Sequence, residues 1–168
     1  MSKKLMAFYS RADENYFGGI YKYISVGNTE KVAKVIAAFI GADIFKIEQK
    51  NPYSKEYKKC IAEAKKDLQN KIYPEVLNLP DNLDEYDEIY LGYPNYWGTM
   101  PMAVYTFLRN YDFTEKTIHP FCSHEGSGIS GTERDIQREV KGATVAKGLA
   151  VFGSSVDNAK QQIENWCK

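Results

Sequence analysis

Short apolar runs alternate along the chain with segments whose apolar residues recur at helical spacing. Five short segments predict strands: 4–9, 87–93, 117–122 and 148–152 are mostly apolar, and 42–47 alternates between apolar and polar residues as a half-buried strand does. Five segments predict helices, at residues 28–40, 54–70, 100–109, 132–140 and 157–167. The clearest is 28–40, whose apolar positions fall at i, i+3, i+4, i+7 and i+8 from Val32, with Asn28 as N-cap and Gly41 as C-cap. This strict alternation predicts an α/β fold, a parallel sheet between two layers of helices, and one domain over residues 1–168.

The loop after the first predicted strand is long and ends where a helix begins. Ligands of open parallel sheets bind beyond the carboxyl ends of the strands, so function is expected in such loops. This loop runs from Ser10 to Gly27, about three times the common length. Free N–H groups at a helix N-terminus attract anions, so Gly27, Asn28 and Thr29 predict a phosphate or anion site. The alternative is an ordinary Asn cap after a Gly turn.

The loop after the third predicted strand places two large aromatic residues side by side. It reads Pro94-Asn95-Tyr96-Trp97-Gly98. Adjacent side chains on one short loop cannot both point inward, so one ring is expected to be exposed unless a flat ligand covers it. The alternative is that both rings pack over the end of the sheet.

The loop after the fourth predicted strand is rich in glycine and serine. Such a run lets backbone amides approach a ligand closely. It contains the spacing GxGxxG, but outside the first strand–helix–strand unit, which excludes a dinucleotide fingerprint. Within it, His124 is either a proton donor beside a ligand or a surface residue. The three cysteines and two histidines have no metal-ligand spacing.

Composition and charge exclude several classes of function. Lys+Arg and Asp+Glu both number 22, so the chain carries no overall positive charge for nucleic acid or an anionic membrane. No apolar run is long enough for a transmembrane helix or a signal peptide. Three cysteines without CxxC spacing fit a reducing cytoplasm. An acidic run over residues 81–88 is either a solvated strand entry or a surface that orients a basic redox partner.

Taken together, the three loops resemble those of the flavodoxin family over essentially the whole chain. The resemblance rests on Ser10 with Gly27-Asn28-Thr29-Glu30, on Pro94–Thr99, and on Ser123–Gly128. The run GYPNYWGTMPMAVYTFL is especially similar to a bacterial flavodoxin-like branch. The resemblance implies a doubly wound five-stranded parallel sheet of order 2-1-3-4-5 and FMN as the cofactor. The cofactor-binding residues that it implies are Ser10, Arg11, Gly27, Asn28, Thr29, Pro94, Asn95, Tyr96, Trp97, Gly98, Ser123, His124, Gly126, Ser127 and Gly128.

Two features depart from the family pattern. Flavodoxins usually keep the phosphate loop compact, whereas residues 11–26 here form an insertion. We interpret it as a lid over the phosphate or ribityl end of the cofactor; the alternative is a surface loop. Arg11 then contacts either the phosphate or only solvent. Electron-carrying flavodoxins are also acidic, whereas this chain is neutral.

The resemblance implies a one-electron carrier that works between cytoplasmic redox partners. Its flavin ring is expected between the Tyr96–Trp97 loop and the 123–128 loop, with Gly98 free to turn a carbonyl toward the flavin N5. Partners are expected to be redox proteins or small electron acceptors, without nucleic acid or membrane. The alternative is an FMN-dependent NAD(P)H or quinone reductase. A receiver-like signalling domain would need acidic residues at the positions that Ser10 and Asn95 occupy in this chain. A binding module for a ligand other than a flavin is a further alternative, and it would have no affinity for FMN.

Overall fold

Eight strands form a six-stranded sheet and a separate hairpin. The computed structural model describes residues 3–168. The strands are β1 Lys3–Phe8, β2 Asp13–Phe17, β3 Ile20–Ile24, β4 Asp43–Lys46, β5 Tyr86–Pro94, β6 Thr117–His124, β7 Thr144–Val145 and β8 Leu149–Phe152. The main sheet is parallel, in the order β4-β1-β5-β6, and both β7 and β8 pair with β6. The predicted fold class is confirmed; the fifth position of the predicted order is shared between β7 and β8.

Helices cover both faces of this sheet, as the sequence predicts. They are α1 Asn28–Ile40, α2 Tyr57–Asn70, α3 Met102–Arg109, α4 Thr132–Glu139 and α5 Lys160–Cys167, with a 3-10 helix at Gly153–Asn158 before α5. Side chains on β1 alternate between two cores: Leu5 and Ala7 join the core under α3 and α4, whereas Met6 and Phe8 join the core under α1 and α5. In residues 3–168, no helix has the length and apolar character needed to cross a membrane.

The segment predicted as an inserted loop contains an antiparallel hairpin. Strands β2 and β3 pair from Asp13 with Ile24 to Phe17 with Ile20. Gly18 and Gly19 form the turn, with φ of 52° and 108°, and positive φ at both positions matches the twist of a hairpin. The sequence analysis missed this element, which we call the hairpin.

The cap of α1 differs from the prediction at one end only. Gly27 is the N-cap, in an extended conformation, and Asn28 is the first helical residue. The prediction of Asn28 as N-cap is therefore wrong. Gly41 ends the helix in the left-handed conformation, with φ 70° and ψ 44°, as predicted. The parallel strands β1, β5 and β6 end at the same edge of the sheet, and α1 begins at that edge.

Candidate functional site

A cleft of about 370 Å³ lies at the carboxyl ends of β5 and β6. The loops after these strands form one side, the hairpin and α2 form the other, and the start of α1 closes the end. Nine predicted site residues line it: Asn28, Pro94, Asn95, Tyr96, Trp97, Gly98, Ser123, His124 and Ser127. Seven further lining residues were not predicted: Asn15, Tyr16, Tyr57, Ile61, Ala64, Glu125 and Gly153.

The other predicted residues lie beside the cleft without lining it. They are Ser10, Arg11, Gly27, Thr29, Gly126 and Gly128. Ser10 and Arg11 line a separate, smaller pocket of about 170 Å³. That the cofactor contacts each of these residues stays a prediction.

The first turn of α1 leaves amide groups free at the end of the cleft. The Ser10 hydroxyl oxygen accepts the N–H of Glu30 at 3.0 Å. The N–H groups of Asn28 and Thr29, in the first turn, have no backbone partner among the described residues. A Cβ on Gly27 would collide with Ser10 Oγ and lie 2.6 Å from the Arg11 carbonyl oxygen, so only glycine allows this close crossing. Two free amides at a helix start suit a phosphate or another anion.

The aromatic loop is a two-residue turn closed by mutual backbone hydrogen bonds. Tyr96 N–H donates to Thr99 O at 2.8 Å, and Thr99 N–H donates to Tyr96 O at 3.1 Å. The two turn residues, Trp97 and Gly98, have φ of 54° and 81°. Glycine adopts this conformation freely, whereas the left-handed backbone of Trp97 costs about 1–2 kcal/mol. The turn therefore holds Trp97 in a strained conformation that other contacts must compensate.

The rings of Tyr96 and Trp97 diverge, as the sequence predicts. Trp97 is 48% exposed, and its indole N–H donates to the Ile61 carbonyl of α2 at 2.8 Å. Tyr96 turns inward and packs against Tyr9 in a T-shaped arrangement, with the two ring centroids 5.9 Å apart. Its hydroxyl oxygen is buried and has no hydrogen-bond partner of normal geometry in the described part of the chain. Burial raises the pKa of Tyr96 well above its usual range, so the phenol stays neutral.

Asn95 joins the loop after β5 to the loop after β6. Its amide nitrogen donates to Gly128 O at 3.1 Å and to Ser130 Oγ at 2.8 Å. Its amide oxygen accepts the Gly98 N–H at 3.0 Å. Replacement by an apolar residue would remove all three bonds. Asn95 therefore fixes the spacing of the two loops between which a flat ligand would lie.

His124 presents a neutral imidazole to the cleft. Its Nδ1 accepts the Gly126 N–H at 2.9 Å, and its ring packs 4.4 Å from that of Phe152. Burial lowers the pKa of His124 below its usual range. Because Nδ1 is an acceptor, the proton of the neutral ring lies on Nε2, which is free to donate.

Glu125 brings an unpaired carboxylate oxygen into the cleft. Its Oε2 accepts the Ser154 hydroxyl at 2.5 Å, whereas its Oε1 is buried without a partner. A Cβ on Gly153 would lie 2.7 Å from this Oε1 and 2.5 Å from Asn28 Nδ2. The Glu125 acceptor and the Asn28 amide donor therefore both lie close to the backbone of Gly153. Buried acceptors are almost always satisfied, and this one suits a ligand O–H or N–H. The sequence analysis missed this residue.

The hairpin is fastened to the start of α2 by two polar residues. Glu14 Oε1 accepts the Tyr57 N–H at 2.8 Å and so completes the first turn of α2. The Arg11 guanidinium donates to Ser54 O at 3.0 Å, to Lys55 O at 2.8 Å and to the carbonyl of Glu14. Arg11 thus binds main-chain carbonyls in this structure rather than lining the cleft.

Stacked tyrosines form the wall of the cleft at the contact between the hairpin and α2. The rings of Tyr16 and Tyr57 lie 6.0 Å apart with an interplanar angle of 23°, and Tyr21 supports them at 5.4 Å from Tyr57. A flat aromatic wall, an opposite pair of tight loops and free amides at α1 fit a planar ligand that carries an anionic group. In residues 3–168, no group of three or more His, Cys, Asp or Glu side chains could hold a metal ion.

Comparison with known proteins gives one family and a consistent set of structures. A family model described as Flavodoxin matches residues 20–168. An uncharacterized protein of Methanocaldococcus jannaschii is 25% identical over 134 residues, which are 80% of this chain and 69% of that protein. A crystal structure of a provisionally named flavoprotein from Bacteroides uniformis is 26% identical, with a TM-score of 0.77, and covers 97% of this chain and 98% of that one.

Two further solved structures are more distant in sequence. A flavoprotein from Lactobacillus acidophilus in complex with FMN has 23% identity and a TM-score of 0.68, and the match covers 94% of this chain and 98% of that one. Oxidised flavodoxin 2 from Bacillus cereus has 18% identity and a TM-score of 0.57, with 99% and 95% covered. At these identities, the two structures show the shared fold alone.

Proposed function

Because the chain belongs to the flavodoxin family, we propose that it holds FMN in the cleft and passes electrons singly between redox partners. FMN is the cofactor of this family, as the sequence analysis expected. The Lactobacillus acidophilus flavoprotein was solved with FMN bound, which supports the same cofactor here. The cysteines Cys60, Cys122 and Cys167 are free thiols, which suits work in the reducing cytoplasm.

The size of the cleft favours an electron carrier over a reductase. A volume of about 370 Å³ lies near the lower end of the range for ligand pockets, roughly 300–1,000 Å³, and so suits one planar ligand. A carrier needs only its cofactor and an accessible cofactor edge. A reductase also needs space for a nicotinamide or quinone, and here the hairpin and α2 occupy the far side of the cleft. This observation favours the carrier.

The residues around the cleft divide the work of holding the cofactor. The free amides of Asn28 and Thr29 would bind the phosphate, and the loops tied by Asn95 would enclose the flat ring. Glu125 Oε1 would accept a hydrogen bond from the cofactor, and His124 Nε2 would donate one. When bound, FMN supplies the redox chemistry, because it accepts and releases electrons one at a time. The half-exposed Trp97 marks the open edge of the site.

The hairpin closes one side of this site. Tyr16 and Asn15 reach the cleft from β2, and Glu14 and Arg11 hold the hairpin to α2. We infer that the hairpin excludes water from the bound cofactor. Water exclusion strengthens every electrostatic interaction in the site and disfavours additional negative charge on the flavin.

Titration of the cofactor-free protein with FMN tests the first half of the proposal. Strong quenching of flavin fluorescence at one FMN per chain is expected. Absence of quenching would overturn FMN binding and favour a module for another ligand. Asn28→Pro removes one of the two free N–H groups at the first helical position, where proline is tolerated. This variant should bind FMN more weakly and leave the lower affinity for riboflavin unchanged, because riboflavin lacks the phosphate.

Anaerobic spectroelectrochemical titration of the FMN-loaded protein tests the second half. A carrier should show two well-separated one-electron midpoint potentials. It should also react slowly with NADH and NADPH, because a cleft of about 370 Å³ bounded by the hairpin and α2 suits one planar ligand and leaves no room for a nicotinamide as well. Rapid bleaching by either nucleotide, with a single two-electron midpoint, would overturn the carrier and establish the reductase.

A further inference from the structure

One side of α2 carries a concentration of positive charge in a chain that is neutral as a whole. Residues 55–66 contain five lysines and two glutamates, whereas the full chain has 22 basic and 22 acidic residues. At 100° per residue, four of these lysines share one exposed third of the helix surface, opposite the buried Cys60 and Ala64. We call this surface the lysine face; it consists of Lys58, Lys59, Lys65 and Lys66.

Most of this charge is not neutralised by the protein. Among residues 3–168, Lys58, Lys65 and Lys66 form no ion pair, whereas Lys59 pairs with Glu56 at 3.0 Å. The two carboxylates of α2 lie outside this third of the helix surface: Glu63 accepts the Ser54 N–H at 2.9 Å, and Asp67 accepts the Tyr53 hydroxyl at 2.7 Å. The lysine face therefore presents a net positive field to solvent.

The lysine face borders the mouth of the cleft. Lys65 Nζ lies 4.8 Å from the centre of the Trp97 ring, and Trp97 lines the cleft. Lys58 Nζ lies 6.0 Å from the ring of Tyr21, which packs against the lining residue Tyr16. The two lysines are seven residues apart and lie on the side of α2 next to Ile61, which also lines the cleft.

Negative charge collects at the other end of the sheet. The acidic run at residues 81–88 precedes and enters β5, and the cleft lies at the opposite end of that strand, at Pro94. Nine residues of strand span about 26 Å at the usual rise of about 3.3 Å per residue. A basic partner drawn to the acidic run would therefore be held far from the cleft.

From this distribution we propose that the lysine face docks an acidic redox protein against the open edge of the cleft. The inference rests on the proposed function and names the charge of the partner. Opposite charges steer the encounter and set the orientation, while the half-exposed Trp97 ring offers an apolar contact at the centre. In the docked complex, one electron leaves the partner's redox centre, which is oxidised, and enters the FMN, which is reduced.

Stopped-flow spectroscopy with a reduced acidic [2Fe–2S] ferredoxin as donor and the oxidised FMN-loaded protein as acceptor tests this docking. The second-order rate constant should fall at least tenfold, to order of magnitude, from low to high ionic strength. The variant K58E/K65E should lose about tenfold at low ionic strength, together with most of the salt dependence. The control K141E/K147E changes the net charge equally on exposed lysines away from the cleft, and it should keep the wild-type rate.

Binding of the FMN-free protein to immobilised ferredoxin separates this inference from the proposed function. The lysine face predicts the same order of affinities, with wild type and K141E/K147E above K58E/K65E, even where no cofactor is present. Equal rates and affinities for the two variants would overturn the inference, and so would stronger binding to immobilised basic cytochrome c. Failure to bind FMN at all would overturn the proposed function and leave this comparison of affinities intact.

Discussion

Replacement of Arg11 by alanine distinguishes a phosphate contact from a structural role of the hairpin. The sequence left open whether this guanidinium contacts the phosphate of the cofactor or only solvent. In the structure it donates to the main-chain carbonyls of Ser54 and Lys55, at 3.0 and 2.8 Å, and lies outside the cleft lining. Arg11→Ala should therefore loosen the hairpin and weaken binding of the whole cofactor.

The size of the effect follows from these two bonds. A hydrogen bond from a charged donor contributes about 1.5–3 kcal/mol when it is well shielded. The Arg11 contacts are partly exposed, so solvent screening reduces each contribution to about 1 kcal/mol. A total of about 2 kcal/mol, if fully coupled to closure of the cleft, corresponds to roughly 30-fold weaker binding.

Fluorescence titration with FMN and with riboflavin is the decisive measurement. Riboflavin lacks the phosphate, so a defect of the hairpin should weaken both ligands by the same factor. Glu14→Ala is the matched variant, because it releases the hairpin from Tyr57 without removing a positive charge. A loss confined to FMN in Arg11→Ala, with Glu14→Ala unaffected, would refute the structural role and restore the phosphate contact.

Three further predictions concern the aromatic and glycine loops. Trp97→Ala should weaken FMN binding in a fluorescence titration and raise the second midpoint potential, because loss of the indole ring would expose the flavin to water. Unchanged affinity and potential would contradict stacking of the Trp97 ring on the flavin. Acid should destabilise the loop after β6, because the lowered pKa of His124 means that the unfolded chain binds a proton first. Stability measured by urea unfolding should fall as the pH drops below about 6.5, and a His124→Gln variant should lose this dependence. Tyr96→Phe removes an unpaired buried hydroxyl and should raise the unfolding free energy by up to about 1 kcal/mol, whereas Tyr93→Phe breaks the 2.7 Å bond to Thr132 and should lower it by about 1 kcal/mol; the reverse order would contradict the assignment.

Local patterns were sufficient to predict the main sheet and the loops at its carboxyl edge. The helix at 28–40 has an apolar stripe and a glycine stop, so its end could be predicted to the residue, whereas its N-cap was placed one residue too late. The central strands β1, β5 and β6 contain buried, mostly apolar runs, which are typical of parallel sheets covered on both faces, whereas the edge strand β4 is mostly exposed. Because such strands end at one edge, the loops after residues 9, 93 and 122 had to meet.

The wall of the cleft that the hairpin and α2 form was not predicted from the sequence, because it depends on contacts between distant parts of the chain. Tyr57 lies about forty residues from Glu14, and no local pattern joins them. A signal for the hairpin itself was present, since Gly18-Gly19 separates two five-residue runs that each contain two aromatic residues, and a Gly-Gly pair is typical of a tight hairpin turn. Glu125 could not have been selected from sequence, because its unpaired oxygen exists only where Gly153 and Asn28 come together.

The hydrogen bond that the Tyr57 N–H in the first turn of α2 donates to Glu14 affects how long the cleft keeps its ligand. Any opening of the cleft on the side of the hairpin breaks this bond and leaves the Tyr57 amide uncapped. A helix cap contributes about 1 kcal/mol, and this amount added to the opening barrier lengthens the residence time about fivefold. The same helix carries the lysine face, so a protein that docks there and orders α2 also delays the departure of the cofactor from the cleft.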